Sequence, residues 1–160
     1  SNLTALEVNE EEKYAWIGPG HNWGKVFSYL SEFNLTSLEV VFLAGGVNFH
    51  GNQHGWAADN VIEYEIVLAD GTVKYATACS DPELFWALKG GSSNYGIVTK
   101  FKVNTFPSNQ VLAGVYSVTD IPAFLEATAN FSQYNTDPLA HIVPQVIQQS
   151  DATIGAVILY

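Results

Sequence analysis

The stretch Gly45–Pro107 decides the fold, and it reads GGVNFHGNQHGWAADNVIEYEIVLADGTVKYATACSDPELFWALKGGSSNYGIVTKFKVNTFP. It begins with a glycine-rich loop over 45–55. Apolar and polar residues then alternate over Val61–Ala69, as is typical of a β-strand. The dipeptide Asp70-Gly71 is a strong signal for a tight hairpin turn. The pattern therefore predicts a β-hairpin over Val61–Ala78.

A helix and a second glycine-rich loop are predicted to follow the hairpin. Ser80 precedes Glu83 by three residues, which is the spacing of a capping box with Ser80 as the cap. Gly90-Gly91 is expected to end this helix, and Gly96–Val103 to form the next strand. A dinucleotide fingerprint has its glycine loop after a strand and before a helix. Because the order here is reversed, the loop does not indicate a Rossmann fold.

The flanking sequence extends the mixture of strands and helices on both sides. Predicted strands are Leu3–Val8, Tyr14–Ile17, Leu38–Leu43, Val111–Val118, His141–Ile147 and Thr153–Tyr160. Predicted helices run from Trp23 to about Ser31, capped by Asn22, and over Ile121–Tyr134. This order of elements predicts an α+β architecture.

Composition excludes several classes of protein. The 160 residues are 48% hydrophobic, and 16 acidic against 6 basic residues give a net charge of −10. Such a chain repels phosphate backbones and anionic lipid, so neither nucleic acid nor a membrane surface is an expected partner. No apolar run reaches membrane-spanning length. The single cysteine, Cys79, allows no internal disulfide and is expected to be a buried structural thiol.

Three sequons indicate N-glycosylation at Asn2, Asn34 and Asn130. Together with the acidic composition they favour a secreted, extracellular protein. The sequence begins at Ser1 and contains no methionine, which indicates a processed chain or a fragment.

The glycine loops allow two interpretations when each is taken alone. Glycine lets a backbone approach a flat or anionic ligand closely, but it also suits a simple tight turn. His50 and His54 have the spacing of a metal pair on a helix. Gly51 and Gly55 predict that no helix forms there, and no third ligand is near in sequence. No metal site is therefore expected.

The succession of motifs resembles a known family far more specifically than any single motif does. The matching segments are IGPGHNWG (17–24), DNV (59–61), VLADG (67–71), DPELFWALKGG (81–91), NYGIVT (94–99) and FP (106–107). Their order resembles the FAD-binding domain of the vanillyl-alcohol oxidase / p-cresol methylhydroxylase (PCMH) superfamily. The likeness is greatest to fungal berberine-bridge-enzyme-like and oligosaccharide oxidases. It covers Leu6–Pro107 and continues more weakly beyond.

The resemblance implies a domain organisation and a cofactor. Residues 1–107 would be part of a PCMH-type FAD-binding domain, with a mixed sheet and flanking helices. Residues 108–160 would begin an α+β substrate-binding domain. FAD is the implied cofactor, and the implied contacts on its flavin side are Gly45, Gly46, Val47 and Asn48, with Gly55 nearby. The implied contacts on its adenosine half are Ile97 and Val98.

The resemblance also implies an activity: a secreted oxidase that transfers hydride from a carbohydrate or small secondary metabolite to flavin, with O2 as the acceptor. The implied partners are the small-molecule substrate, O2 and the missing remainder of the chain itself. No residue is assigned as catalytic.

One alternative remains open from the residues themselves. The segment Asn34–Ala44 is shorter than in the family, lacks its glycine run and contains no cysteine, so a cysteinyl flavin link is not expected. The family's N-terminal subdomain is also absent from the sequence. The open alternative is a truncated or degenerate relative that folds without flavin and acts as a non-enzymatic binding or structural protein.

Overall fold

The computed structural model describes residues 2–38, 42–108, 112–148, 150 and 153–159. They form two compact units. The first contains residues 1–48 and 54–109, and the second contains residues 49–53 and 110–160. Both units combine helices with antiparallel strands, so the predicted α+β class is confirmed. The assignment of 1–107 and 108–160 to two domains stays a prediction.

The first unit is built on a five-stranded antiparallel sheet with the order β1-β2-β6-β4-β5. Its strands are β1 (Leu6–Asn9), β2 (Tyr14–Ile17), β4 (Val61–Val67), β5 (Val73–Thr77) and β6 (Ile97–Asn104). A separate pair joins β3 (Leu35–Thr36) to β7 (Phe106–Pro107). The helices are α1 (Trp23–Ser31), α2 (Gly51–His54) and α3 (Pro82–Leu88), of which α2 belongs largely to the second unit.

One face of this sheet forms the core of the first unit. Alternate strand residues point inward, and they pack with buried residues of α1 and α3. The largest fully buried side chains include Tyr64, Ile66 and Val103 from the sheet and Leu30 and Leu88 from the helices. The position of the core therefore follows from period-2 burial in the strands and an apolar stripe on each helix.

The hairpin prediction is confirmed. Strands β4 and β5 pair antiparallel from Glu63↔Thr77 to Val67↔Val73. The turn contains Gly71 with φ 84°, a left-handed conformation that suits glycine. The predicted helix Trp23–Ser31 and its cap are also confirmed, because the Asn22 side chain accepts a hydrogen bond from the Lys25 amide.

The predicted cap of α3 is wrong by one residue. Asp81, not Ser80, is the N-cap, and its carboxylate accepts the Leu84 amide at 3.4 Å. The reason is Pro82, which occupies the first helical turn and keeps the residue before it out of the helical conformation. The Ser80 hydroxyl instead donates to the Tyr75 carbonyl.

Cys79 is exposed, so its predicted burial is also wrong. Strand β5 ends at Thr77, two residues earlier, and Cys79 lies in the following turn. There the alternation of the strand no longer directs side chains inward. The backbone of this turn is held by Thr77, whose hydroxyl accepts the Cys79 and Ser80 amides.

Several strand boundaries differ from expectation. The first strand begins at Leu6 instead of Leu3. In the predicted strand Leu38–Leu43, residues 39–41 lie outside the described part, and Phe42–Ala44 is a 3₁₀ turn. Residue 111 of the strand predicted from Val111 and residue 160 of the strand predicted to Tyr160 also lie outside it.

The second unit contains a three-stranded antiparallel sheet with the order β8-β10-β9. Its elements are β8 (Gly114–Val118), α4 (Ile121–Tyr134), β9 (Ile142–Gln148) and β10 (Thr153–Leu159). The α4 prediction is confirmed, with Asp120 as its cap. The buried Phe124 ring packs over Gly155. In the described part of the chain, no helix has the length and apolar character needed to cross a membrane.

The outer face of the five-stranded sheet carries a polar network around Glu65. Its carboxylate accepts hydrogen bonds from Thr99 (2.5 Å) and Tyr75 (2.8 Å) and pairs with Lys100 (3.0 Å). Burial alone would raise the pKa of Glu65, but the hydrogen bonds from Thr99, Lys100 and Tyr75 outweigh it and lower this pKa. The network therefore favours the charged carboxylate in the folded state.

Acidification should remove the contribution of Glu65 to stability. Because its pKa is lowered in the fold, the stabilisation is present above the ordinary value of 4.5 and is lost as the pH falls through the lower, folded pKa. We expect Glu65→Gln to lower the free energy of unfolding at pH 7, and the deficit to shrink below pH 4.5. Urea unfolding at both pH values measures this, with the exposed Glu11→Gln as the control. A deficit independent of pH would contradict the prediction.

Tyr64→Phe should stabilise the protein. Tyr64 is fully buried, and its hydroxyl has no hydrogen-bond partner among the described residues. Burial and the charge of Asp59 both raise the pKa of Tyr64, so the hydroxyl stays neutral. Removing an unsatisfied buried donor should raise the free energy of unfolding by about 1 kcal/mol in urea titrations.

Tyr75→Phe is the matched control for that substitution, because it removes a hydroxyl that donates to Glu65. It should not raise the free energy of unfolding. Destabilisation by Tyr64→Phe would show that the buried hydroxyl has a partner, such as an internal water.

Candidate functional site

The first glycine loop, Gly45–Asn48, lies between the 3₁₀ turn Phe42–Ala44 and the helix α2. Gly45 has φ 93° and Gly46 has φ 74°. Glycine adopts a positive φ without the strain that a Cβ atom causes, and here two consecutive residues do so. The sequence Gly45-Gly46 therefore suits the local conformation of the loop.

Both glycine carbonyls are held by the turn Ala57–Asn60. The Ala58 amide donates to Gly45 O and the Ala57 amide to Gly46 O, each at 3.0 Å. None of the described peptide bonds is cis. In a trans peptide the N–H points away from the preceding carbonyl. The N–H groups of Gly46 and Val47 therefore both point away from the turn Ala57–Asn60.

These two amides have no acceptor in the part of the chain that the structure describes. Gly46 is buried, whereas the side chain of Val47 is 61% exposed. Buried backbone N–H groups are almost always paired, so an unpaired one at a glycine loop indicates a ligand acceptor. The arrangement resembles the backbone concavities that bind acceptor atoms.

Two buried asparagines donate side-chain hydrogen bonds to backbone carbonyls in and after the loop. Asn48 Nδ2 donates to Gly46 O (3.4 Å) and to Gly55 O (2.9 Å). Asn60 Nδ2 donates to His54 O (2.8 Å) and Trp56 O (3.0 Å). The two bonds of Asn48 bring Gly45–Asn48 and Gly55 together.

Helix α2 corrects the prediction that His50 and His54 are not in a helix. Gly51–His54 forms a single helical turn. The two glycines lie at the ends of this helical turn and do not prevent it. Gly51 is its first residue, and Gly55, with φ 74°, follows directly after its last residue. His50 precedes the helix. Within the described residues, no group of three or more His, Cys, Asp or Glu side chains could hold a metal ion.

The His54 ring stacks on Phe106, with 3.8 Å between ring centroids and 20° between planes. Burial lowers the pKa of His54, so the stacked imidazole favours its neutral form. Phe106 pairs with Thr36 in the small β3-β7 sheet. The contact therefore fixes the residue before Gly55 to a second sheet.

The second glycine loop follows α3 and leads into β6. Its Ser92 amide donates to Leu43 O at 2.7 Å, which joins it to the backbone just before Gly45. Ile97, at the start of β6, is 66% exposed, and Val98 is buried. This hydrogen bond links the two loops. The contact of Ile97 and Val98 with a cofactor stays a prediction, as do the contacts of Gly45, Gly46, Val47, Asn48 and Gly55.

Sequence reasoning missed three contributors to this site. Ala57 and Ala58 act through their amides, which no side-chain pattern reports. The resemblance places the turn at His54-Gly55 near the flavin, but it does not predict that the His54 ring packs on Phe106. The signal that could have indicated the 57–60 turn is Asn60, a polar residue placed directly before a buried strand.

The three sequon asparagines are exposed. Asn34 lies in the turn after α1 with φ 56°, and Asn130 lies on α4. Glycosylation at Asn2, Asn34 and Asn130 stays a prediction.

The residues present fit a flavin nucleotide. Paired amides suit the carbonyl oxygens or nitrogens of a flat heterocycle or the oxygens of a phosphate. Exposed apolar side chains, Val47 on the first loop and Ile97 after the second, suit its ring surfaces.

Comparisons with known proteins agree with this chemistry. A family profile described as an FAD binding domain matches residues 1–77. An FAD-dependent monooxygenase of Arthrobotrys oligospora is 36% identical, covering 83% of this chain and 28% of the relative. An uncharacterized FAD-linked oxidoreductase of Arthroderma benhamiae is 34% identical, covering 91% and 31%. The FAD-dependent monooxygenase prx3 of Penicillium roqueforti is 33% identical, covering 92% and 32%. The chain thus spans about a third of the length of these relatives.

Solved structures share the fold over nearly the whole chain. 6-Hydroxy-D-nicotine oxidase from Arthrobacter nicotinovorans has a TM-score of 0.84 and 25% identity, covering 98% of this chain and 38% of that one. Berberine bridge enzyme from Eschscholzia californica has a TM-score of 0.79 and 20% identity, covering 99% and 34%, which shows likeness of fold alone. These matches confirm the predicted resemblance: the chain carries part of an FAD-binding domain of the kind found in the vanillyl-alcohol oxidase / p-cresol methylhydroxylase superfamily.

Proposed function

We propose that this chain is part of a secreted, FAD-dependent oxidase that acts on a carbohydrate or small secondary metabolite. The observation that carries the proposal is the pair of adjacent amides, Gly46 and Val47, which point away from the turn that holds their loop. When bound, FAD would supply a two-electron acceptor for a substrate C–H bond, with O2 as the final oxidant. The fungal relatives named monooxygenases, which by that name use O2, support the redox class.

The part played by this chain is to bind and orient the cofactor. The amides of Gly46 and Val47 would donate to acceptor atoms, and the exposed Val47 and Ile97 side chains would cover apolar ring surface. Asn48 keeps the loop in shape by donating to the carbonyls of Gly46 and Gly55. A site that is already organised loses less entropy when it binds.

The catalytic base is proposed to come from a part of the protein that corresponds to the rest of the relatives' length. No residue here is assigned to that role. The matched relatives are about three times as long as this chain, which leaves room for such a group.

The runner-up function is a flavin-free binding or structural protein. The short segment Asn34–Ala44, without a glycine run, favours it. The visible absorption spectrum of the purified full-length natural protein separates the two functions, because a bound flavin absorbs in the blue and an apo-protein does not. A colourless protein that stays colourless after incubation with FAD would overturn the oxidase.

Gly46→Val should impair flavin binding more than stability. A branched side chain would lie where the backbone meets the flavin, and φ 74° adds strain of about 1–2 kcal/mol. Gly71→Val is the matched control, because Gly71 has φ 84° in the hairpin turn, outside the loop. We expect both variants to melt at lower temperature and only Gly46→Val to lose flavin during gel filtration. Equal retention of flavin in the two variants would contradict this.

N-linked sugar should be present at Asn34 or Asn130 in the native source. Both asparagines are exposed and lie within sequons. Intact mass before and after glycosidase treatment measures the sugar, and Asn34→Gln and Asn130→Gln assign it. An unchanged mass would count against the secreted location.

A further inference from the structure

Asn48 is a polar side chain that is only 4% exposed. Its Nδ2 has two hydrogens, and the two carbonyls that accept them belong to Gly46 (3.4 Å) and Gly55 (2.9 Å). Burying an amide is costly unless it is hydrogen-bonded, so these bonds account for its place in the interior. The Nδ2 atom therefore has no hydrogen left to donate to a ligand.

The Gly46 carbonyl accepts two donors. The Ala57 amide approaches it at 3.0 Å and Asn48 Nδ2 at 3.4 Å. A carbonyl oxygen has two lone pairs, and here both are engaged. Turning the Gly46–Val47 peptide would break both bonds, one to a main-chain group and one to a side chain. Because the peptide is planar and trans, fixing this carbonyl also fixes the Val47 N–H.

We infer that Asn48 is a positioning residue that sets the affinity of the loop for FAD by holding the Gly46–Val47 peptide in one orientation. The inference rests on the proposed function. It assigns to Asn48 an effect on FAD affinity that is exerted through the Gly46–Val47 peptide and not through direct contact with the cofactor. The side-chain amide supports the Gly46 carbonyl from within, and the Val47 amide is presented on the opposite side. Through Gly55, the same side chain ties this peptide to the end of α2.

Asn60 provides a matched comparison. It is similarly buried, at 8% exposed, and its Nδ2 also donates two hydrogen bonds. Its acceptors are the carbonyls of His54 and Trp56, so it does not contact the Gly46–Val47 peptide. If both asparagines served stability alone, their substitution would change the Kd for FAD equally. If Asn48 positions the peptide, its substitution would change this Kd more than the substitution of Asn60.

The test compares wild-type, Asn48→Ala and Asn60→Ala forms of the full-length natural protein. Apo-protein is titrated with FAD, and the Kd is taken from quenching of flavin fluorescence. The urea midpoint of each apo form and the visible spectrum of each bound form are measured in parallel. We expect Asn48→Ala to raise the Kd about tenfold or more and to shift the flavin absorption band, since loss of a buried hydrogen bond is of that size.

Asn60→Ala should lower the urea midpoint by a comparable amount and change the Kd by less than about threefold, the change expected of an indirect effect. If Asn48→Ala does not fold, Asn48→Ser replaces it. Serine keeps one donor, so its Kd should lie above that of the wild type.

Three results would overturn the inference. An unchanged Kd in both Asn48 variants would show that the peptide does not need this side chain. An equal rise in Kd for the Asn48 and Asn60 variants, in proportion to their loss of stability, would show a structural role alone. A wild-type protein that binds no FAD would overturn the proposed function and the inference with it. The wild-type titration alone identifies that case.

Discussion

The two hydrogen bonds from Ala57 and Ala58 to the carbonyls of Gly46 and Gly45 are the interaction on which the candidate site depends. They hold two consecutive glycines in a left-handed conformation that other residues adopt only with strain. They also engage the carbonyl side of each peptide, so the amide side is directed away from the turn. The polarity of the site is thus decided by peptide orientation and not by a charged side chain.

The core of the first unit holds the two amides that make these hydrogen bonds in place. Ala57 and Ala58 are buried, and their turn leads directly into β4, which lies between β6 and β5 in the sheet. A position anchored by a buried central strand moves little relative to the core. The conformation of the loop therefore depends on the packing of β4 against β5 and β6. The Ser92–Leu43 hydrogen bond attaches the second glycine loop to the same frame.

Buried polar groups at this site divide into satisfied and unsatisfied ones. Asn48 and Asn60 donate to backbone carbonyls, and these hydrogen bonds offset the free-energy cost of burying the two side-chain amides. The amide of Gly46, a buried residue, has no acceptor in the described residues. An unpaired buried amide destabilises the free protein, and a ligand that pairs with it stabilises the folded state by mass action. A flavin bound as proposed would therefore stabilise the folded state.

The sequence by itself determined the elements whose signals are local. The hairpin turning at Gly71, the Asn22 cap and the helix Ile121–Tyr134 depend on residues adjacent in the chain, and the order of motifs identified the FAD-binding family. Only the tertiary structure decided that Cys79 is exposed, that His54 packs on Phe106 and that the Asn48 side chain supports a carbonyl. A sequence pattern reports the polarity of side chains. The direction of a peptide depends on hydrogen-bond partners that only the folded chain brings within reach.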